Sequence, residues 1–206
     1  MRKCLSRCFL IFPLLMAPML SVAGDHADWR HLRKGAENTR SISAAFRQEK
    51  DLPILSAPLI SKGRFFYQAP DAIRWEYISP VKSVALMKGD RVNVFHFAEG
   101  SWHEDATPGL QLRQMILGEI RDWVKGRFDG GGIFRPFLSH GPPMQVTLIP
   151  KNELKDFLAR IDLIFSLSPL SIKEVHIFEP GEGQTHIVFT DVQINSDLPP
   201  ATFLEP

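Results

Sequence analysis

Cysteine is nearly absent. The 206-residue sequence holds two, Cys4 and Cys8, both close to the N-terminus. A cut after Ala23 would leave a chain with no thiol at all, which excludes disulfides, a cysteine nucleophile and cysteine-ligated metal from the mature protein. Arg7 before Cys8 does not suit a lipid-attachment cleavage site. An excess of charge of one sign is lacking too, with 24 Lys+Arg against 23 Asp+Glu. Taking away Arg2, Lys3 and Arg7 leaves 21 against 23, a balance of −2, and this argues against a nucleic-acid partner. Apolar runs long enough to cross a bilayer are missing. The stretch from Phe9 to Leu20 is short of the ~20 residues required, and Pro13 and Pro18 interrupt it.

Catalytic signatures are absent as well. Ser139-His140 has no G-x-S-x-G context, and adjacent residues cannot aim both side chains at one point. Gly130-Gly131-Gly132 is not followed by Lys-Ser or Lys-Thr, so it is no phosphate loop. The seven histidines are His26, His31, His96, His103, His140, His176 and His186. None has the spacing that builds a zinc site on one element, although His176 and His186 could approach each other across the Pro180 turn. The expectation is no catalytic residue, no metal and no cofactor.

What is present begins with a secretory signal: a basic start, the apolar run and Ser21-Val22-Ala23, a small-x-small cleavage pattern. Residues 1–23 are therefore expected to be removed. The remaining 183 residues, 206 less 23, suit one domain with a core, and neither repeats nor linkers divide them.

Trp29, Leu32 and Ala36 recur at helical spacing from Asp28, a candidate N-cap, to about Arg40. The period then becomes two: Ile42, Ala44 and Phe46 alternate with Ser41, Ser43 and Arg47. Strands are expected at Gly63 to Gln68, around Ile73, Trp75 and Tyr77, at Ser83 to Met87, at Arg91 to Phe97 and at Ser101 to Glu104, with Gly89-Asp90 as a hairpin turn. A helix follows, with Thr107 as cap, Pro108 at its first position and Leu112, Met115, Ile116, Ile120, Trp123 and Val124 on one face. The glycines at 130–132 read as a flexible loop. Further strands are expected at Met144 to Ile149, Ile161 to Phe165, Ile172 to Phe178 and Thr185 to Ile194, with a helical turn within Asn152 to Leu158 and a turn at Pro180 to Gly183. The class is α+β, an antiparallel sheet with helices on one face. Two amphipathic helices over a long, twisted meander would fill its inner face only loosely, leaving an apolar concave space fit for an acyl chain.

Phe46-Arg47-Gln48-Glu49-Lys50 resembles the F-x-Q-x-K strand that opens the sheet of the LolA lipoprotein-carrier family. Gly63 to Tyr77, followed by Pro80, resembles that family's most recognisable stretch. Thr185 to Phe189, with Asn195, Leu198-Pro199 and Phe203, resembles its closing strands. The resemblance implies an incomplete antiparallel β-barrel covered by lid helices around an apolar cavity. It implies a periplasmic, non-enzymatic carrier that shelters the acyl chains of lipoproteins, taking them from an inner-membrane transporter and passing them to an outer-membrane acceptor. The expected cargo cavity comprises Phe65, Tyr67, Ile73, Trp75, Tyr77, Leu86, Met115, Ile116, Ile120, Trp123, Phe165 and Phe189. Arg74 and Glu76, on the outward face of one strand, are a candidate partner contact or a solvated charge pair. In one respect the chain departs from the family: Ala69 stands before Pro70, where typical lipoprotein carriers have an arginine that helps control the lid. Together with the insert from Leu52 to Leu59, this leaves open a carrier for a free lipid served by a dedicated exporter. A periplasmic hydrolase and an interaction module with a filled core are further alternatives.

Overall fold

The computed structural model describes residues 24–105, 110–128, 132–139 and 141–206. Helix α1 spans Gly24–Glu37 and six strands follow it: β1 (Ser41–Asp51), β2 (Leu59–Gln68), β3 (Ala72–Ser79), β4 (Ser83–Lys88), β5 (Arg91–Ala98) and β6 (Ser101–Glu104). Helix α2 (Leu110–Val124) leads into β7 (Phe134–Ser139), β8 (Gln145–Pro150), β9 (Arg160–Leu167), β10 (Leu170–Phe178) and β11 (Gln184–Ile194). The strands form one sheet in the order β6-β5-β4-β3-β2-β1-β11-β10-β9-β8-β7, every pairing antiparallel. Two meanders thus meet where β1 pairs with β11. The sheet is curved but not closed, because its edges β6 and β7 do not pair and the segment that joins them carries α2.

Most expected elements are present, with informative differences. The first helix begins at Gly24, so Asp28 lies within it and is not its cap, and it stops at Glu37. Strand β2 starts at Leu59, four residues before Gly63, because Leu59 to Lys62 pair with Lys50 to Arg47. Strand β7 had no counterpart in the sequence reading. Its inward positions Phe134, Pro136 and Leu138 alternate with Arg135, Phe137 and Ser139, but an exposed Phe137 hides that period. Pro136 has no backbone N–H to donate, and β7 tolerates it as the last strand of the sheet. A short 3-10 turn at Pro200–Phe203 was not anticipated either. Thr107, Pro108 and Gly130-Gly131 lie outside the described residues.

The inner face of the sheet holds the core. Ile73, Met87 and Val92 meet across β3, β4 and β5, with Tyr67 opposite Ile73 on β2. Val146, Leu148 and Leu163 are fully buried on the other half. Helix α1 lies against β7 and β10, and α2 lies against β5. The helices meet at Gly126, just past α2, where φ is 69° and an added Cβ would stand 2.9 Å from the Cα of Arg33.

Gly63 is the tightest point of the sheet. Its Cβ would fall 2.0 Å from the carbonyl oxygen of Glu76 and 2.4 Å from the Phe46 ring, which lies over β2 at this position. The missing side chain lets Phe46 reach Trp75 (ring centroids 5.0 Å apart) and Tyr77 (5.2 Å). A backbone oxygen cannot swing aside, so Gly63→Ala should destabilise the fold by about 1–3 kcal/mol in denaturant unfolding. Gly118, inside α2, has nothing within 4 Å of its would-be Cβ. Gly118→Ala should therefore stabilise by about 0.5–1 kcal/mol, through helix propensity alone. Equal effects from the two substitutions would contradict this packing.

Candidate functional site: an apolar cavity under the helices

Between the inner face of the sheet and the two helices lies a cavity of about 810 Å³. Strand alternation puts Phe65, Trp75 and Phe189 on this face, and they form an aromatic cluster with Phe46 and Tyr77, at centroid separations of 5.0–6.2 Å. Helix α2 faces them with Met115, Ile116, Ile120, Trp123 and Val124. Strand β9 contributes Phe165. Met115 and Ile116 are 38% and 46% exposed, as expected of apolar side chains that border open space rather than a packed interior. Among the expected cavity residues, Phe65, Trp75, Tyr77, Met115, Ile116, Ile120, Trp123, Phe165 and Phe189 line the space.

Tyr67, Ile73 and Leu86 do not line it. Tyr67 and Ile73 are on the inner face but belong to the solid row with Met87 and Val92, so that part of the sheet is packed. Leu86 pairs with Arg74 and shares its outward face. There the Pro200–Phe203 turn lies against β3 and β4. Arg74 donates to the carbonyl oxygens of Thr202 (3.3 Å) and Glu205 (2.7 Å) and pairs with Glu76 at 3.3 Å. The guanidinium expected at a partner surface is thus held by the chain's own C-terminal segment, with only 11% of its side chain exposed.

Phe128, Ile172 and Ile177 also line the cavity and were missed. Phe128 follows the helix in a segment with no period to read, though its contact with Trp29 (5.8 Å) ties it to α1. Ile172 and Ile177 are on the same strand, but a register irregularity between Ile172 and Glu174 spoils its alternation.

A few polar groups interrupt the apolar wall. The Tyr77 hydroxyl donates to Gln48 Oε1 at 2.8 Å, and burial pushes its pKa up, so it stays a neutral donor. Lys50 and Glu179, which also border the space, form an ion pair at 2.9 Å. Ser83 and His96, opposite each other across β4 and β5, also border the cavity. At the outer side of α2, Arg121 donates to the carbonyl oxygen of Gly89 (3.2 Å) and approaches Asp90 (3.4 Å), which ties the helix to the β4–β5 turn. No helix among the described residues is long and apolar enough to cross a membrane.

Residues 37–123 match the family described as outer membrane lipoprotein carrier protein LolA. No curated protein matches the sequence. Among solved structures, a DUF1329 family protein from Desulfovibrio piger shares the fold with a TM-score of 0.52 at 8% identity, over 87% of this chain and 97% of that one. A LolA superfamily protein from Nitrosomonas europaea gives a TM-score of 0.43 at 12% identity, over 85% and 97% of the two chains. Lipoprotein LppX of Mycobacterium tuberculosis gives 0.47 at 12% identity, over 87% and 99%. Over residues 37–123, then, the chain is similar to the LolA family, and its described residues form an open antiparallel sheet with two helices across it.

Proposed function

We propose that this protein is a periplasmic carrier that shelters acyl chains in its cavity, without covalent chemistry. The observation that carries the reading is the cavity itself. A space of about 810 Å³ walled mostly by apolar side chains is far larger than the small gaps of a packed core. The space must therefore hold something, water or cargo. Water gains little from walls such as Trp75, Ile120 and Phe189, whereas each methylene moved there from water gains ~0.8 kcal/mol.

The resident cargo in this reading is the lipid moiety of a lipoprotein, in keeping with the family match. A transporter in the inner membrane would load it, an outer-membrane acceptor would withdraw it, and residues 1–23 would direct export. Transfer needs no energy source in the carrier, since the tighter-binding acceptor sets the direction. A free lipid is the second reading. Ala69 favours it, because no guanidinium stands there to control the helices, and the anchoring of α2 falls to Arg121.

The reading is tested by native mass spectrometry of the protein isolated gently from its own periplasm, with lipid extraction of the same sample. A bound acylated polypeptide is expected. A bound small lipid would select the second reading, and an empty protein with no uptake of added acyl chains would overturn both. Ile116→Asp sets a charge against the cavity from a half-exposed position. It should weaken binding of a fluorescent fatty-acid probe about tenfold or more while leaving the melting temperature nearly unchanged. Arg121→Ala should loosen α2 and speed amide exchange over 115–124 about tenfold, the equivalent of losing one charged hydrogen bond.

A further inference from the structure

On the outer face of the sheet, away from the cavity, three metal-ligating side chains meet. Val175 and Ile187 point inward, so the neighbouring His176 and His186, directly opposite each other across β10 and β11, point outward. Their rings stack at 4.1 Å with an 18° tilt. Glu174, two residues before His176, is on the same face. Its Oε2 stands 3.1 Å from His186 Nε2 and 3.5 Å from His176 Nε2, and one ligand atom from each residue can be chosen so that all lie within 4.8 Å of one another.

We propose that Glu174, His176 and His186 form a binding site for one divalent transition cation of the Zn²⁺ class. Zinc bonds of ~2.0–2.1 Å place neighbouring tetrahedral ligand atoms roughly 3.3–3.5 Å apart. The two separations to Glu174 Oε2 already bracket that value, so small side-chain rotations complete the site. Two imidazoles and one carboxylate select zinc, copper or nickel over magnesium or calcium. The side chains are one-fifth to one-third exposed, which leaves an entry path and at least one coordination position for water.

The surrounding charges fit this assignment. Glu49 is opposite His186 in register but is ion-paired with Arg47. Asp162 is opposite His176 but accepts from Thr147 at 2.8 Å and pairs with Arg160 at 3.0 Å. Glu174 alone turns a carboxylate oxygen to both imidazoles, and Lys173, 3.0 Å from its Oε1, holds the other oxygen. Binding replaces the contacts between Nε2 and the carboxylate with Nε2–metal bonds, each imidazole then carrying its proton on Nδ1. The turn at Pro180 let the sequence suggest that His176 and His186 approach each other, but only the register places Glu174 beside both.

The test is calorimetric titration of the tag-free mature chain, stripped with chelator, with ZnCl₂. One Zn²⁺ per chain is expected. His176→Ala, His186→Ala and Glu174→Gln should each weaken binding about tenfold or more, since even residues that only support a ligand cost that much. Lys173→Gln should tighten it by removing the competing cation. His96→Ala serves as control, because His96 and His103 also stack across two strands (5.7 Å) but belong to no such three-ligand group among the described residues. Unchanged circular dichroism would show that the half-exposed substitutions leave the fold intact. Failure of the parent chain to take up one Zn²⁺, or equal uptake by a His176→Ala/His186→Ala double variant, would overturn the proposal. It stands or falls independently of acyl-chain binding, which the same variants should retain.

Discussion

Every feature of the molecule depends on the pairing of the first strand with the last. Strand β1 takes β2 on one side and β11 on the other, so a single ribbon of hydrogen bonds joins two meanders that would otherwise be separate hairpin stacks. Asn195 fastens the junction: its Oδ1 accepts from the amide of Arg40 at 2.7 Å and its amide nitrogen donates to Asn38 at 3.0 Å. The long-range closure this requires is entropically costly and is offset only when both meanders are in register. Once it forms, twist accumulates over eleven strands and the inner face becomes too wide for two helices to fill. The cavity is therefore a consequence of strand number and connectivity more than of any one side chain.

The sequence made that architecture readable in part. Alternation in Ile73-Arg74-Trp75-Glu76-Tyr77 states plainly which side chains face inward, and the helical period of Met115, Ile116, Ile120 and Trp123 states which face of α2 meets them. Parity fails where both faces are covered. In Ser83 to Met87 nothing in the residue types separates Leu86 from its inward neighbours, because the Pro200–Phe203 turn gives the outer face an apolar cover of its own. Burial along a strand also differs from one end to the other. Tyr67 and Ile73 obey the same alternation as Phe65 and Trp75, yet they sit in the packed part of the sheet and not beside the open space. The period identifies a face, and only the helices decide where along that face the filling stops.

Aromatic packing and emptiness are arranged side by side. Phe46 reaches the cluster because Gly63 leaves room beneath it, and the cluster forms one rigid wall of the cavity. Opposite it, α2 buries Leu117 and Trp123 in the core and offers a flexible thioether at Met115. One wall of the space is thus aromatic and closely packed, and the other carries an adaptable side chain.

The unjoined seam between β6 and β7 has a further effect, on behaviour at high concentration. Two free strand edges are templates on which a neighbouring molecule can add its own strand, the usual first step towards fibrils and exchanged dimers. One edge, Ser101–Glu104, is only four residues long, and the other carries Pro136 at its middle. The seam thus offers a neighbouring copy only short or proline-broken edges to pair with.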